Sequence, residues 1–463
     1  MKSPTNVVIL AAGLGTRMKS KRAKVLHRAG GLSLIEHVVN AARAVTDPAH
    51  ITVVVGRQAE EVRALLAPAG VRFVDQKEQK GTGHALRMCR KPLAAQGGQV
   101  VVLYGDCPLL SQATLKDLVR RQARSKAAAT LITTRLDDPA GYGRVILGTR
   151  GEVRAIVEEK AATPEQRAIQ VINSGIYCFC ADLLWEHLAR IRPNNPAHEY
   201  YLTDIVELFH RAGHAVAAMD VPNPAELLGI NTRVELAAVD RIFRERKVKE
   251  LMLQGVTIER PETVTIDGAV RIGADSVVEP FAQILGRTEI GDDCRIGACS
   301  IVSDSRLEDR VEVLPFSSVA DSRVGAGARI GPFARLRPGN SVGKGAHVGN
   351  FVELKNTRLG AGAKANHLAY LGDATIGANT NIGAGTITCN YDGVHKHATQ
   401  IGADAFVGSN STLVAPVEIG DESYIGAGSV ITENVPASAL ALGRARQVVK
   451  EGWAHKRKKM TKK

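Results

Sequence analysis

The chain has 463 residues, of which 4% are aromatic and 45 are glycine, and it carries a net charge of +13. That length exceeds one ordinary core, so two domains are expected, and the lack of a membrane-length apolar run or a secretory leader argues for a cytoplasmic protein with no membrane insertion. Seven cysteines without zinc or disulfide spacing fit reduced thiols, and six cations crowd into residues 456–463 without interleaved aromatics, so a solvated tail is expected and a nucleic-acid partner is not.

From Asn6 to about Leu228, strand-like and helical patterns alternate. Residues 7–12, 51–56, 71–74 and 100–105 read as strands, and 33–43 as a helix opened by a capping box of Ser33 and Glu36. The alternation predicts an α/β doubly wound, Rossmann-like parallel sheet with ligands at its strand ends. The first such end reads Leu10-Ala11-Ala12-Gly13-Leu14-Gly15-Thr16-Arg17-Met18, followed by Lys24. The glycines let the backbone approach a phosphate chain, and Arg17 and Lys24 are candidate catalytic cations that neutralise it. Met18 stands where a dinucleotide fingerprint needs its third glycine, and no Walker Lys-Ser/Thr follows. LAAGLGTRM with a following lysine instead resembles the signature of sugar-1-phosphate nucleotidyltransferases.

The next strand ends repeat the theme. Gln76 and Gln79 precede Gly81-Thr82-Gly83-His84, where polar side chains are suited to a base edge. Tyr104-Gly105-Asp106 follows a wholly apolar run and places a carboxylate where Mg²⁺ would be held against a triphosphate. Gly143, Glu158 and Asn173, each within a short polar stretch, complete the set. A helix over 232–254, opened by a capping box of Thr232 and Glu235, reads as a connector between a domain of residues 1–231 and one of 255–463. Asn231, at its start, is either a cap-region residue or a second Mg²⁺ ligand.

Beyond the connector the chain takes up a period of six. Ile266, Ile272, Val278, Ile284, Ile290, Ile296 and Val302 form an unbroken series, which resumes after a slip at Val324 and after a second at Ile401. A helix repeats near 3.6 and a half-buried strand at 2, so a strict six predicts a parallel β-helix of short strands, with glycines turning its corners. The general preference in parallel crossovers predicts a right-handed coil. The stretch resembles hexapeptide-repeat acyltransferases, and that resemblance implies a left-handed coil of three hexads instead.

This β-helix carries more chemistry than a scaffold requires. Arg335-Leu336-Arg337, Val352-Glu353-Leu354-Lys355-Asn356, Asn366-His367 with Tyr370, and Cys389-Asn390-Tyr391 concentrate polar groups in one stretch. Arg337 and Lys355 lie eighteen residues apart and would stack in adjacent coils as a cationic patch suited to a sugar phosphate. His367 is the candidate general base. His347, His395 and His397 stand nearby, but none forms a set with His367 at an eighteen-residue interval, so no metal is expected there. Residues 389–400 break the rhythm and predict a functional loop.

Taken whole, the chain resembles the family of bacterial bifunctional N-acetylglucosamine-1-phosphate uridyltransferase / glucosamine-1-phosphate acetyltransferases, most specifically in HVGNFVELKN, HLAYLGDATIG and NIGAGTITCNYDG. The resemblance implies acetylation of glucosamine-1-phosphate by acetyl-CoA, then transfer of UMP from UTP to N-acetylglucosamine-1-phosphate. It implies nucleotide-sugar contacts by Leu10, Ala11, Ala12, Gly13, Lys24, Gln76, Gly81, Thr82, Tyr104, Gly105, Asp106, Gly143, Glu158, Asn173 and Asn231, with Mg²⁺ on Asp106 and Asn231. For the second site it implies Arg337, Lys355, Tyr370 and Asn381 on the acetyl acceptor, and Ala384, Asn390, Tyr391, Ser409, Ala427 and Arg444 on acetyl-CoA, in a homotrimer whose basic tail reaches toward the coenzyme. Asn366 and Lys80 depart from the family pattern. The alternative is a nucleotidyltransferase whose β-helix serves only as a trimerisation or regulatory scaffold.

Overall fold

The structure is a computed structural model that describes residues 4–149, 151–195 and 197–460. The chain divides into two compact units, Met1–Phe243 and Arg244–Lys463. The division falls inside the helix Arg233–Leu253, which is opened by the expected reciprocal pair: Thr232 N–H donates to Glu235 Oε2 at 2.7 Å and Glu235 N–H to Thr232 Oγ1 at 3.2 Å. Leu236, Val239, Ile242 and Phe243 pack into the first unit, and Val248 and Leu251 into the second.

In the first unit the main path of the sheet runs Val216–Asp220, Ala129–Arg135, Val171–Cys180, Gln99–Tyr104, Thr5–Leu10, Ile51–Val55, Arg72–Asp75. Strand Thr5–Leu10 is apolar from Val7 and buried from Asn6 because it is paired on both sides and covered on both faces. The sheet is mixed: Val171–Cys180 runs antiparallel to both neighbours and pairs with a hairpin of Arg144–Leu147 and Val153–Val157. A period count cannot give strand direction, which is why a parallel sheet was the expectation. Leu10 pairs with Tyr104 on one side and Val54 on the other, so the loops after these three strands emerge side by side.

The second unit is a left-handed parallel β-helix whose two- and three-residue strands form three sheets. Strands this short accumulate little twist, so the bias that makes long crossovers right-handed has little hold here. For clarity the sheet through Val348 is face 1, that through Leu354 face 2 and that through Leu359 face 3. The inward column continues through both apparent slips as Leu307, Val313, Val319 and then Leu359, Ala365, Leu371, Ile376, Ile382, all buried. From Ile266 onward, inward residues keep a spacing of six from face 3 to face 1 and from face 1 to face 2. Only the corner from face 2 to face 3 varies: Val302 to Leu307 and Leu371 to Ile376 shorten it, and Thr388 to Ile401 lengthens it into the loop expected from the broken rhythm.

Glycines such as Gly345, Gly385 and Gly428 do hold a left-handed backbone at turns, but most of those directly after an inward aliphatic do something else. Gly291, Gly383 and Gly408, each directly after an inward aliphatic, do not hold a left-handed backbone, whereas Asp275, Phe333 and Asn410 do. A Cβ on those glycines would lie 2.7 Å from Asp309 N, 2.5 Å from Ser409 N and 2.5 Å from Ala427 N, in the next coil. These glycines therefore admit the neighbouring coil's backbone, which corrects the expectation of a turn-forming role at this position except at Gly331, where φ is 101°. With coils held by one inward side chain per face, Leu354→Ala should cost about 2–5 kcal/mol in urea unfolding of the second unit, and Ser341→Ala on an outer face less than about 0.5 kcal/mol.

Candidate active sites

In the first unit, Leu10, Ala11, Ala12, Gly13, Lys24, Gln76, Gly81, Thr82, Tyr104 and Asp106 line one cavity of about 430 Å³. Two glycines shape its rim. Gly15 has φ 61°, and a Cβ there would lie 2.8 Å from Lys24 Cβ; Gly81 has φ 98°, and a Cβ would lie 2.7 Å from the Tyr200 carbonyl oxygen. Gly105 lies beneath, donating to Leu10 O at 3.0 Å. Lys24 Nζ forms an ion pair with Asp106 and donates to Asn231 Oδ1 at 3.2 Å, while Arg17 donates to the same oxygen at 2.9 Å. Arg17, Lys24, Asp106 and Asn231 thus form one polar cluster, although Asn231 is more than 120 residues beyond Asp106 in sequence.

Gly143, Glu158 and Asn173 gather beside this cavity. A Cβ on Gly143 would lie 3.6 Å from Glu158 Oε2 and 3.7 Å from Asn173 Cβ. Tyr104 links the two groups: its half-buried ring lies against Gly175, and desolvation, followed by the nearby Glu158 carboxylate, raises its phenol pKa. Burial also raises the pKa of Glu158, although Thr203 Oγ1 donates to it at 3.2 Å. Asp204 is pushed up to about 6 by burial first, then by Glu158 and Glu207.

The sequence reading missed the strap of residues 197–202. Glu199 lines the cavity, the Tyr200 carbonyl accepts from Gly83 N–H at 2.8 Å, and Leu202 N–H donates to Thr82 Oγ1 at 3.1 Å. Arg87 lies 4.4 Å over the Tyr200 ring. No periodicity marks this strap, and its pairing with residues 80–87 is visible only in the fold.

In the second unit the expected stacking of Arg337 on Lys355 is present, since Leu336 pairs with Leu354 and Arg337 N–H donates to Leu354 O at 2.9 Å. Lys355 Nζ donates to Asp373 Oδ2 at 2.7 Å, and Asn356 and Asn390 also donate to that carboxylate. The bond to Asp373 raises the Lys355 pKa despite some burial. Tyr370 pairs with Glu353 on face 2, and Glu353 accepts from Arg337 at 3.2 Å. A Cβ on Gly372 would meet the Tyr370 hydroxyl at 2.5 Å and Asn390 Nδ2 at 2.9 Å, so these groups converge. The following loop is held by Asp392, whose pKa is lowered to about 2 by the His395 backbone N–H, the His397 ring and the Val394 N–H. Tyr391 is exposed on it.

His367 stands at the opposite edge of face 2, on the corner with face 1. Its carbonyl accepts from Gly385 N–H at 3.3 Å, Ala384 O from Asn410 N–H at 2.7 Å, and Ser409 O from Gly428 N–H at 2.8 Å. Ala427 and Arg444 extend the column, since a Cβ on Gly408 would touch Ala427 N and one on Gly428 would lie 3.9 Å from Arg444 Cδ. His367, Ala384, Ser409, Ala427 and Arg444 therefore mark successive coils along one corner, roughly 19 Å at a strand spacing of ~4.8 Å. Asn381 is separated from Arg337, Lys355 and Tyr370: it pairs with Lys364 and Phe406 on face 1. His347 lies near His367 across adjacent coils; burial, then Arg329, then His367 lower its pKa.

An α/β sheet with a phosphate-type loop at its central strand end, joined to a β-helix with a separate polar site, defines a nucleotidyltransferase fused to a hexapeptide-repeat transferase. Residues 7–177 match the model of the MobA-like NTP transferase domain, and residues 269–304 and 398–433 match that of the bacterial transferase hexapeptide (six repeats). The chain is similar to the bifunctional protein GlmU of Solibacter usitatus, with 59% identity across 100% of this chain and 99% of the relative. It is also similar to those of Koribacter versatilis, at 50% across 99% and 98%, and Stutzerimonas stutzeri, at 47% across 98% and 99%. The chain belongs to the GlmU family of bifunctional proteins.

The raised Asp204 carboxyl has a stability signature. It binds its proton more tightly folded than unfolded, so its contribution falls as pH rises from about 4 through about 6. Asp204→Asn should raise the thermal midpoint of the first unit at pH 8 relative to wild type and leave it nearly unchanged at pH 4, as read by differential scanning calorimetry.

Proposed function

We propose that this bifunctional transferase makes UDP-N-acetylglucosamine in two steps, acetylating glucosamine-1-phosphate in the β-helix and then joining the product to UMP in the first unit. The observation that carries this reading is the presence on one chain of two separate anion-ready sites. One is the cluster of Arg17, Lys24, Asp106 and Asn231 in its cavity, and the other is face 2 of the β-helix, with Lys355 at one edge and His367 at the other.

In uridylyl transfer, a phosphate oxygen of N-acetylglucosamine-1-phosphate attacks the α-phosphorus of UTP and pyrophosphate leaves. Two anions must meet, so Arg17 and Lys24 supply charge while Gly13 and its neighbours admit the phosphates closely. Gln76, whose Nε2 is held by Gly81 O at 3.1 Å, keeps its carbonyl for the base with Gly81 and Thr82. Gly143, Glu158 and Asn173 bind the sugar. Asp106 and Asn231 fit Mg²⁺, since both already present oxygens to one ammonium group and this ion takes few protein ligands beside phosphate. When bound, Mg²⁺ supplies further neutralisation of the triphosphate.

In acetyl transfer, Arg337 and Lys355 hold the sugar phosphate, Tyr370 orients the sugar, and His367 removes the proton from the amine as it attacks the thioester carbonyl. Acetyl-CoA lies along the corner of Ala384, Ser409, Ala427 and Arg444, with Asn390 and Tyr391 near the acetyl group. Asn381, around the corner on face 1, joins the site from a neighbouring copy, so the working form is a homotrimer. In support, Phe316, Phe333 and Phe351 form an exposed stacked ridge on the His367 corner, with ring centroids 5.1 and 5.3 Å apart. The basic tail, of which residues 461–463 lie outside the described ones, reaches toward coenzyme phosphates. Among the described residues no helix is long and apolar enough to cross a membrane, and all seven cysteines are free thiols, which supports a cytoplasmic setting.

The test follows free thiol and pyrophosphate separately. His367→Ala should lower thiol release from acetyl-CoA and glucosamine-1-phosphate by about 10²-fold or more, while pyrophosphate release from UTP and N-acetylglucosamine-1-phosphate stays within about twofold. Asp106→Ala should do the reverse. Thiol release that survives His367→Ala would overturn the assignment of the base, and wild-type protein releasing pyrophosphate but no thiol would make the β-helix a scaffold. Phe333→Asp should reduce the mass in multi-angle light scattering from three chains to one and remove acetyl transfer while sparing uridylyl transfer.

A further inference from the structure

Three consecutive residues that no motif marks out leave the end of strand Ile51–Val55 and touch the loop bearing Arg17 and Lys24. A Cβ on Gly56 would come within 2.9 Å of both Ala12 Cβ and Ala12 O, so only glycine lets the two segments lie this close. The Arg57 guanidinium spans the loop, donating through Nη1 to Leu14 O at 3.4 Å and through Nη2 to Lys21 O at 3.1 Å. Gln58 Oε1 accepts from the backbone N–H of Ala23, the residue before Lys24, and Gln58 Nε2 donates to Glu61 Oε1 at 2.7 Å, fixing the amide's orientation.

The loop has little regular bonding of its own. It contains one turn of 3₁₀ helix, Thr16–Met18, flanked by Gly15 and Lys19 in left-handed conformations, and one more at Lys24–Leu26. Its ties to the neighbouring strand end therefore decide where its cations sit. Gln58 itself holds φ 54°, an uncommon backbone state for a residue with a side chain and one that persists where the surroundings over-determine it.

We infer that Arg57 and Gln58 are positioning residues for nucleotidyl transfer, a clamp that holds residues 12–24 so that Lys24 stays on Asp106 and Asn231 and Arg17 stays on Asn231. The clamp acts through Lys24. Gln58 fixes the backbone one residue before it, Gly15 presses on its Cβ, and its ammonium reaches the pair of oxygens. A 1 Å displacement of such a cation is enough to lower turnover without abolishing substrate binding. This inference rests on the uridylyl-transfer reading of the same site.

The experiment uses the full chain with Gln58→Gly, which allows the left-handed backbone and removes the side chain, and the double variant Gln58→Glu/Glu61→Gln, which keeps an acceptor for Ala23 N–H and keeps a donor–acceptor pair between positions 58 and 61. Gln58→Gly should lower kcat for pyrophosphate release about tenfold with KM for UTP changed less than about threefold, and Gln58→Glu/Glu61→Gln should recover most of that loss. In a Lys24→Ala background, Gln58→Gly should add nothing further. Independently of turnover, hydrogen exchange over residues 13–24 should quicken in Gln58→Gly and return toward wild type in Gln58→Glu/Glu61→Gln. Unchanged exchange, unchanged kcat in an active protein, or a loss of equal size in the Lys24→Ala background would overturn the clamp. Wild-type protein that releases no pyrophosphate would overturn the function reading instead, while the exchange measurement still decides the clamp.

Discussion

Parallel strand pairing at about 4.8 Å is the constraint on which both units depend. In the first unit, pairing of Thr5–Leu10 between Gln99–Tyr104 and Ile51–Val55 sets three strand ends at one level. The loops that leave them are then forced together: a phosphate loop, an Asp106 turn and the Gly56–Gln58 turn. In the second unit the same spacing turns sequence separation into stacking. Residues 17 or 18 apart become neighbours, and the chemistry of a whole face is assembled from short strands that could not hold a ligand singly.

Beyond its first coil the β-helix keeps two of its corners invariant and admits change at only one. The corner bearing His367 holds six-residue spacing from Val278 onward, so each of these coils adds a backbone step in register along it. The varying corner carries Asp373, Asn390 and the loop with Tyr391. A rigid edge suits a long ligand read at several points, and an extensible edge suits a loop that closes over a small one. Face 2, between them, presents Arg337, Lys355 and Tyr370.

Both sites also hold a half-buried lysine against an aspartate, Lys24 with Asp106 and Lys355 with Asp373. Each pair confines the ammonium, and a confined cation costs less ordering entropy when it meets an anion. The two carboxylates differ in their other partners: Asp106 shares its ammonium with Asn231, and Asp373 is a fixed acceptor for three donors.

The sequence by itself determined the two-part organisation, the hexad solenoid, the phosphate loop at Leu10–Lys24, the stacking of Arg337 on Lys355 and the excursion after Cys389. These are local periods or motifs, and local backbone physics is enough to express them. Left-handed coiling and the residue roles came through resemblance, because no spacing encodes them. Only the tertiary structure decided that Asn231 meets Lys24, that the strap with Glu199 and Tyr200 closes on Gly81, and that Asn381 sits on a different face from Tyr370. It also decided that the repeat glycines make room for the next coil and that Gly56–Gln58 abut the phosphate loop. The physical reason is the same in each case: these contacts join residues whose partners lie outside any local period, so they exist only once strand pairing has set the distances between them.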